Sequence, residues 1–297
     1  MTEFKPEQVL DAKAGIGECP LWSVDEQCLY WIDIDGKAFN RFDPATRQNR
    51  RWETPEIPGS FVLREGGGVI IAMQDGIHDF DSETGQLNQL VAAPYDRTRL
   101  RFNDGRTDRQ GRFWVGTMPT DFNDRDGPGG ATYSFDGSTL TERIAPIHDA
   151  NGNAFSPVGT TMYRAETFER KIFAYDLDPA SGAVSNERLF VTVPDHLGMP
   201  DGATIDAEGC YWAALPNGPN GGSVGRFTPD GALDLVIELP VLLPLMPAFG
   251  GPDMTTLFVT SGSIEPALGR QSTPLSGSIF AVKTPFRGLP EVKFRPR

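Results

Sequence analysis

Four short polar segments carry the side chains best suited to hold a hard cation. They are Glu18 in GIGECP, Asn103 in RFNDG, Asn151 in DANGN and Asp201 in MPDG. Two carboxylates and one or two amide carbonyls make an all-oxygen donor set with no His or Cys. Such a set suits Ca2+, Mg2+, Mn2+, or a similarly bound Fe2+ or Zn2+, better than a thiolate-type metal. Each segment also has a plainer reading. N-D-G, A-N-G and P-D-G are turn tripeptides, because Asn and Asp tolerate the left-handed region and Gly permits positive φ. Glu18 stands apart, since Glu has no turn preference and lies between Gly17 and Cys19-Pro20.

What joins the four is their position in a repeat. Aromatic-rich or apolar strands are expected at 29–33 (LYWID), 69–73 (VIIAM), 112–116 (RFWVG), 161–166 (TMYRAE), 210–215 (CYWAAL) and 257–261 (LFVTS). Their spacing of about 40 to 50 residues is that of four-stranded propeller blades. The strands that follow, such as AFNRFDPATR, GIHDFDSETG and KIFAYDLDPASG, alternate apolar and polar residues and end in Asp- and Gly-rich hairpins. No window keeps a clean 3.6-residue period, so helix content should be low. Six copies predict an all-β chain, one six-bladed β-propeller over 1–297, with the segment around Phe4–Leu10 completing the last blade. Stepping back about 10 to 12 residues from each aromatic strand reaches Glu18, Asn103, Asn151 and Asp201 in four repeats. In the other two it reaches Phe61 and the 246–248 stretch. Equal phase in a rotational repeat means equal radius and height. The four polar groups should therefore converge at one end of a central channel, beside a more apolar wall.

Composition sets the bounds. The chain has 297 residues with 39% hydrophobic and 23% charged, ordinary globular proportions, and 33 Gly with 25 Pro for many tight turns. A formal net charge of −13 repels phosphate backbones and excludes nucleic acid as a natural partner. No stretch approaches the roughly 18 apolar residues of a membrane span. Cys19, Cys28 and Cys210 lack metal-type spacing and read as buried thiols in a reducing compartment, with the cytoplasm as the default location. His78, His148 and His196 read as turn or surface residues. The basic, proline-broken segment at 286–297 reads as a solvated terminus.

At these motifs the sequence resembles the SMP-30/gluconolactonase/regucalcin family of six-bladed propeller lactonases. The likeness runs from GECPLW through RFNDGRTDRQGRFWVGTM and NGNAFSPVGTTMY to PDGATIDAEGCYW and AFGGPDMTTLFVTS, nearly the whole chain. It implies a central metal bound by Glu18, Asn151 and Asp201. Arg101 and Asn103 correspond to the family's substrate contacts, and Asp121 is the nearest match to an acidic residue that meets sugar hydroxyls. The chain departs from the family in reading Arg101-Phe102-Asn103-Asp104 where Pro commonly follows the Arg, and in His148-Asp149 before the Asn151 turn.

The implied activity is hydrolysis of an aldonolactone of the gluconolactone, xylonolactone or arabinonolactone type, by a monomer or weak homo-oligomer. A metal would polarise the lactone carbonyl, Asp201 would serve as general base, and Arg101, Asn103 and Asp121 would orient the sugar. With three His and no G-x-S-x-G elbow, a serine triad lacks its parts. Cys19, beside Glu18, reads as packing. Two alternatives use the same scaffold: another metal-dependent esterase, such as a phosphotriesterase or arylesterase, and a calcium- or protein-binding propeller without turnover.

Overall fold

The computed structural model describes residues 4–121, 124, 127, 129–264 and 269–296. It contains six four-stranded antiparallel sheets. Their innermost strands are Gly17–Ser23, Pro58–Leu63, Leu100–Thr107, Ala150–Phe155, Ala203–Ile205 and Pro244–Gly250. Each packs on the next, and the sixth packs back on the first, so the sheets are the blades of a closed propeller. In blade 6 the N-terminal strand Glu7–Leu10 pairs with Ile279–Lys283 and supplies the outer edge, as a ring without free edges requires.

The second strands follow their sequence pattern closely. Val69–Met73 and Thr161–Glu166 have the expected bounds, and Val69–Met73 is buried at every position. Both faces of such a strand lie against neighbouring blades, which is why it reads as an apolar run. Outer strands meet water on one side, and Gln48–Glu53 is largely exposed. Aspartates close the outer hairpins. Asp81 Oδ1 accepts the Glu83 N–H at 2.8 Å, and Asp178 Oδ1 accepts the Ala180 N–H at 3.0 Å.

Aromatic pairs seal the joints between blades. Trp22 stacks on Phe258 between blades 1 and 6 at 5.4 Å, and Phe61 meets Phe39 edge-on at 4.9 Å between blades 1 and 2. Tyr163 and Tyr211 join blades 4 and 5, and Trp212 and Phe249 join blades 5 and 6. Such pairs add about 0.5–1.5 kcal/mol each beyond their buried area. Met246 and Phe61 belong to this core beside Cys19, so the apolar wall of the channel mouth is built instead from Leu243 and Leu245.

Two expectations need correction. His78 is 5% exposed on the strand Gly76–Phe80, where its Nε2 lies 2.8 Å from Asp75 Oδ1. His148 and His196 are exposed, as expected. The C-terminal segment is not solvated. It crosses the end of the channel as an extended strap, with the Phe294 N–H donated to Leu63 O at 2.7 Å and the Arg295 N–H to Gly111 O at 3.0 Å. Phe294, 2% exposed, stacks flat on Phe135. No helix among the described residues is long and apolar enough to cross a membrane.

Candidate active site at one end of the channel

A β-bulge interrupts five of the six innermost strands near the same end. Register shifts fall between Glu18 and Leu21, Pro58 and Ser60, Phe102 and Gly105, Asn151 and Ala154, and Pro244 and Met246. An extra residue in one strand bends it and re-aims a side chain. N-D-G and A-N-G are therefore not hairpin turns. They lie within strands, and the bulges turn Asn103 and Asn151 into the channel.

Local backbone details fix each group. Cys19 has φ 50°, an unfavourable value for a non-glycine residue, and its N–H is donated to Glu18 Oε2 at 3.0 Å. Gly152 has φ 60°, and a Cβ there would lie 2.2 Å from the Tyr211 hydroxyl. That hydroxyl donates to Gly152 O at 2.8 Å, tying blade 5 to blade 4 beside Asn151. Asp201 lies just before its strand, held by its N–H to Ala214 O at 3.0 Å. Gly202 is required by close approach, since a Cβ would stand 2.5 Å from the Met246 side chain.

Glu18, Asn151, Asp201, Arg101 and Asn103 all line one cavity of about 130 Å³, with Leu243 and Leu245 among its apolar walls. Asn103 Nδ2 donates to Asn151 Oδ1 at 2.7 Å and to Ala150 O at 2.9 Å. Asn151 Nδ2 in turn donates to the Thr167 hydroxyl at 2.7 Å, leaving the carbonyl oxygen turned toward the cavity partners. Arg101 Nη1 donates to Asn103 Oδ1 at 2.8 Å and to Phe102 O at 2.9 Å. Asp121 is not among the lining residues. It is exposed, two residues past the strand Phe113–Pro119, on the same face of the ring.

The sequence reading passed over Asp104. It is 4% exposed, deeper in the channel, and its Oδ2 accepts the Asn153 N–H at 2.7 Å. Adjacency to Asn103 was the available signal, but strict strand alternation would have pointed the two side chains apart. The bulge defeats that rule.

The electrostatics of the site are set first by burial. Burial, then Asp201, then Asp104 push the Glu18 carboxyl well above its ordinary range. Burial and then Asp104 raise Asp201, against the opposing Gly202 N–H and Arg101. Burial raises Asp104 to about 6 despite Arg106, and burial lowers Arg101 to about 10 despite nearby carboxylates. Burial is the largest cause for all three carboxyls, and the Arg101 and Arg106 guanidiniums oppose it only in part. The oxygen donors of Glu18, Asp201 and Asn151 on one buried cavity fit a divalent cation in charge and donor type.

Two other features are excluded. Asp206, Glu208 and Cys210 cluster at ligand-like distances, but Arg226 already fills the cluster. Its Nε donates to Asp206 Oδ2 at 2.9 Å, and it also pairs with Glu208 and Asp234. A wider groove of about 460 Å³ lies between blades 1 and 2 on the opposite face. Its cations are engaged, Arg41 with Glu26, Arg64 with Asp79 and Lys293 with Asp25, while Arg50 lies over the Trp52 ring at 4.4 Å.

Known proteins resemble this chain over nearly its whole length. The model of the SMP-30/gluconolactonase/LRE-like region matches residues 16–263. A 6-deoxy-6-sulfogluconolactonase of Pseudomonas putida is 38% identical over 94% of both chains. A pentonolactonase of Haloferax volcanii is 32% identical over 96% of this chain and 97% of its own. A solved calcium-binding protein, regucalcin of Agrobacterium tumefaciens, superposes with a TM-score of 0.89 at 25% identity, covering 99% of this chain and 100% of that one.

Proposed function

Since the chain belongs to the SMP-30/gluconolactonase/LRE-like family, we propose that it is a metal-dependent lactonase that opens a sugar lactone to the free sugar acid. One observation carries this reading: Glu18, Asn151 and Asp201 converge on one buried cavity as an all-oxygen donor set, beside the guanidinium of Arg101 and the amide oxygen of Asn103. Glu18, Asn151 and Asp201 would hold the ion. Such an ion, when bound, would supply Lewis-acid activation of the lactone carbonyl.

The chain's own groups do the rest. Asp201 accepts the proton of the attacking water and returns it to the leaving ring oxygen. Arg101 and Asn103 stand on one bulged strand. Arg101 donates to the lactone and hydroxyl oxygens through the guanidinium N–H groups not given to Asn103 and Phe102. Asn103, whose amide hydrogens go to Asn151 and Ala150, offers its Oδ1 as acceptor to a sugar hydroxyl, and the two together fix the carbonyl carbon against the water. Leu243 and Leu245 cover the apolar face of the sugar and keep bulk water from the reacting atoms. Asp121 is assigned the outermost hydroxyl at the rim. The oxygen-only donor set places calcium, magnesium, manganese, zinc or ferrous iron as candidates. Three buried free cysteines suit a reducing compartment, and the cytoplasm is the proposed location.

The test is a panel of aldonolactones (gluconolactone, xylonolactone and arabinonolactone) followed by acid release. Turnover of at least one, abolished by chelator and restored by a divalent ion, is expected. Equal rates with and without chelator on every active lactone would overturn the metal-dependent mechanism.

A further inference from the structure

The strap at 287–296 does more than close the far end of the channel. From its middle, Glu291 reaches into the channel and pairs with Arg106 Nη1. The Thr107 hydroxyl donates to Val292 O at 2.5 Å and fixes the strap beside that contact. Arg106 is 6% exposed, and its other terminal nitrogen, Nη2, donates to Ala203 O at 2.8 Å. Ala203 opens the innermost strand of blade 5, two residues after Asp201. One guanidinium thus spans from blade 3, which carries Arg101 and Asn103, to the strand that follows Asp201.

A guanidinium so buried stays in the channel only with a counter-charge, because removing one partner of a buried ion pair leaves an uncompensated charge. Asp104 faces it from the site side and Glu291 pairs with it from the strap side. Glu291 also fixes the direction of Nη1 and hence of Nη2. We infer that Arg106, clamped by Glu291 from the far end of the channel, is a positioning residue for the metal site, holding Asp201 in register with blade 3. This rests on the assignment of Asp201 as a metal ligand.

Calorimetric titration of the full chain with calcium, and separately with manganese, tests it. Glu291→Gln keeps the size and one acceptor oxygen but removes the charge. Its metal Kd should rise about tenfold, the low end of the range for groups that hold a ligand in place. The melting temperature of the metal-free protein should also fall, because a buried guanidinium loses one of its counter-charges. The titrations are therefore run well below each variant's melting temperature, on protein shown to be folded. Arg106→Lys keeps the charge but cannot span both partners, and its Kd should rise at least as far. In both variants the lactone KM at saturating metal should be unchanged. Lys293→Ala, which loosens the strap only at its surface pair with Asp25, should bind metal like the wild type. Folded Glu291→Gln protein with wild-type Kd for both ions overturns the inference, as does an equal loss in Lys293→Ala. Asp201→Asn separates the two claims. If the wild type binds neither ion, or Asp201→Asn binds as tightly as the wild type, the ligand assignment fails and this inference falls with it.

Discussion

Asp201 and Asp206 flank one three-residue strand of blade 5, and their surroundings differ in kind. Asp206 is fully buried and fully answered. Its Oδ2 accepts from Trp212 Nε1 at 2.9 Å and from Arg226, and its Oδ1 accepts the N–H groups of Glu208 and Cys210 at 3.0 and 2.9 Å. Asp201 shares its cavity with Glu18, near Asp104, and both site carboxyls are raised. The number of acidic groups does not separate the two places, since each has its cluster. Their partners do. A buried carboxylate answered by arginine and indole stabilises the fold, and one raised by burial beside a second carboxyl is, under the proposed function, where the cation binds.

The comparison can be broken by exchanging these roles. Asp206→Ala should be the most damaging change, because it leaves Arg226 buried among fewer partners. Breaking a buried pair costs about 3–5 kcal/mol, read as lost unfolding free energy in denaturant titrations. Full stability would mean that the cluster is not what holds blade 5. Asp201→Asn should do the reverse. With metal saturating, kcat should fall by about 100-fold, the loss of general-base help. The metal-free variant should melt no lower than the wild type, since one desolvated, like-charged group is gone. A metallated variant turning over at the wild-type rate would assign the base elsewhere.

Smaller effects sharpen the contrast. Glu18→Gln removes one anionic ligand while keeping shape, and a rise in metal Kd of about tenfold is expected by calorimetry. Unchanged affinity would remove Glu18 from the ligand set. Arg101→Ala should chiefly raise the lactone KM, by several-fold, if its bonds are equally strong in ground and transition states. Unchanged kinetics on every active lactone would take it out of the site.

Much of this was legible in residues alone. The VIIAM and TMYRAE runs mark their strands to the residue because period-2 patterning and full burial are local facts. Glu18, Asn103, Asn151 and Asp201 were found together because rotational symmetry turns sequence phase into spatial position. The misreadings share a physical cause. A bulge adds one residue to a ladder and leaves no compositional trace, so Asn103-Asp104-Gly105 looked like a turn and Asp104 was passed over. The strap looked like a solvated tail because its partners, Leu63, Arg106 and Gly111, lie far away in sequence. His78 looked like a surface residue because its buried environment is set by the packing of blade 2, which no short window of sequence displays.

The outer edge of blade 6 has a consequence for how the chain comes to fold. Gln8 pairs with Phe280, so the ring joins two segments that lie far apart in sequence. Blades 1 to 5 can each zip locally as they are synthesised, since their strands pair with close neighbours in sequence. The sixth cannot be completed until Ile279–Lys283 has been made and has found Glu7–Leu10 waiting. Closing so long a loop is entropically slow. In the interval the flanks of blades 1 and 5 stand open, with Trp22 and Trp212 lacking the aromatic partners of blade 6. That half-built ring is the species most exposed to aggregation. Shortening its lifetime, with lower synthesis temperature or with chaperones, should raise the soluble yield more than stabilising any single blade.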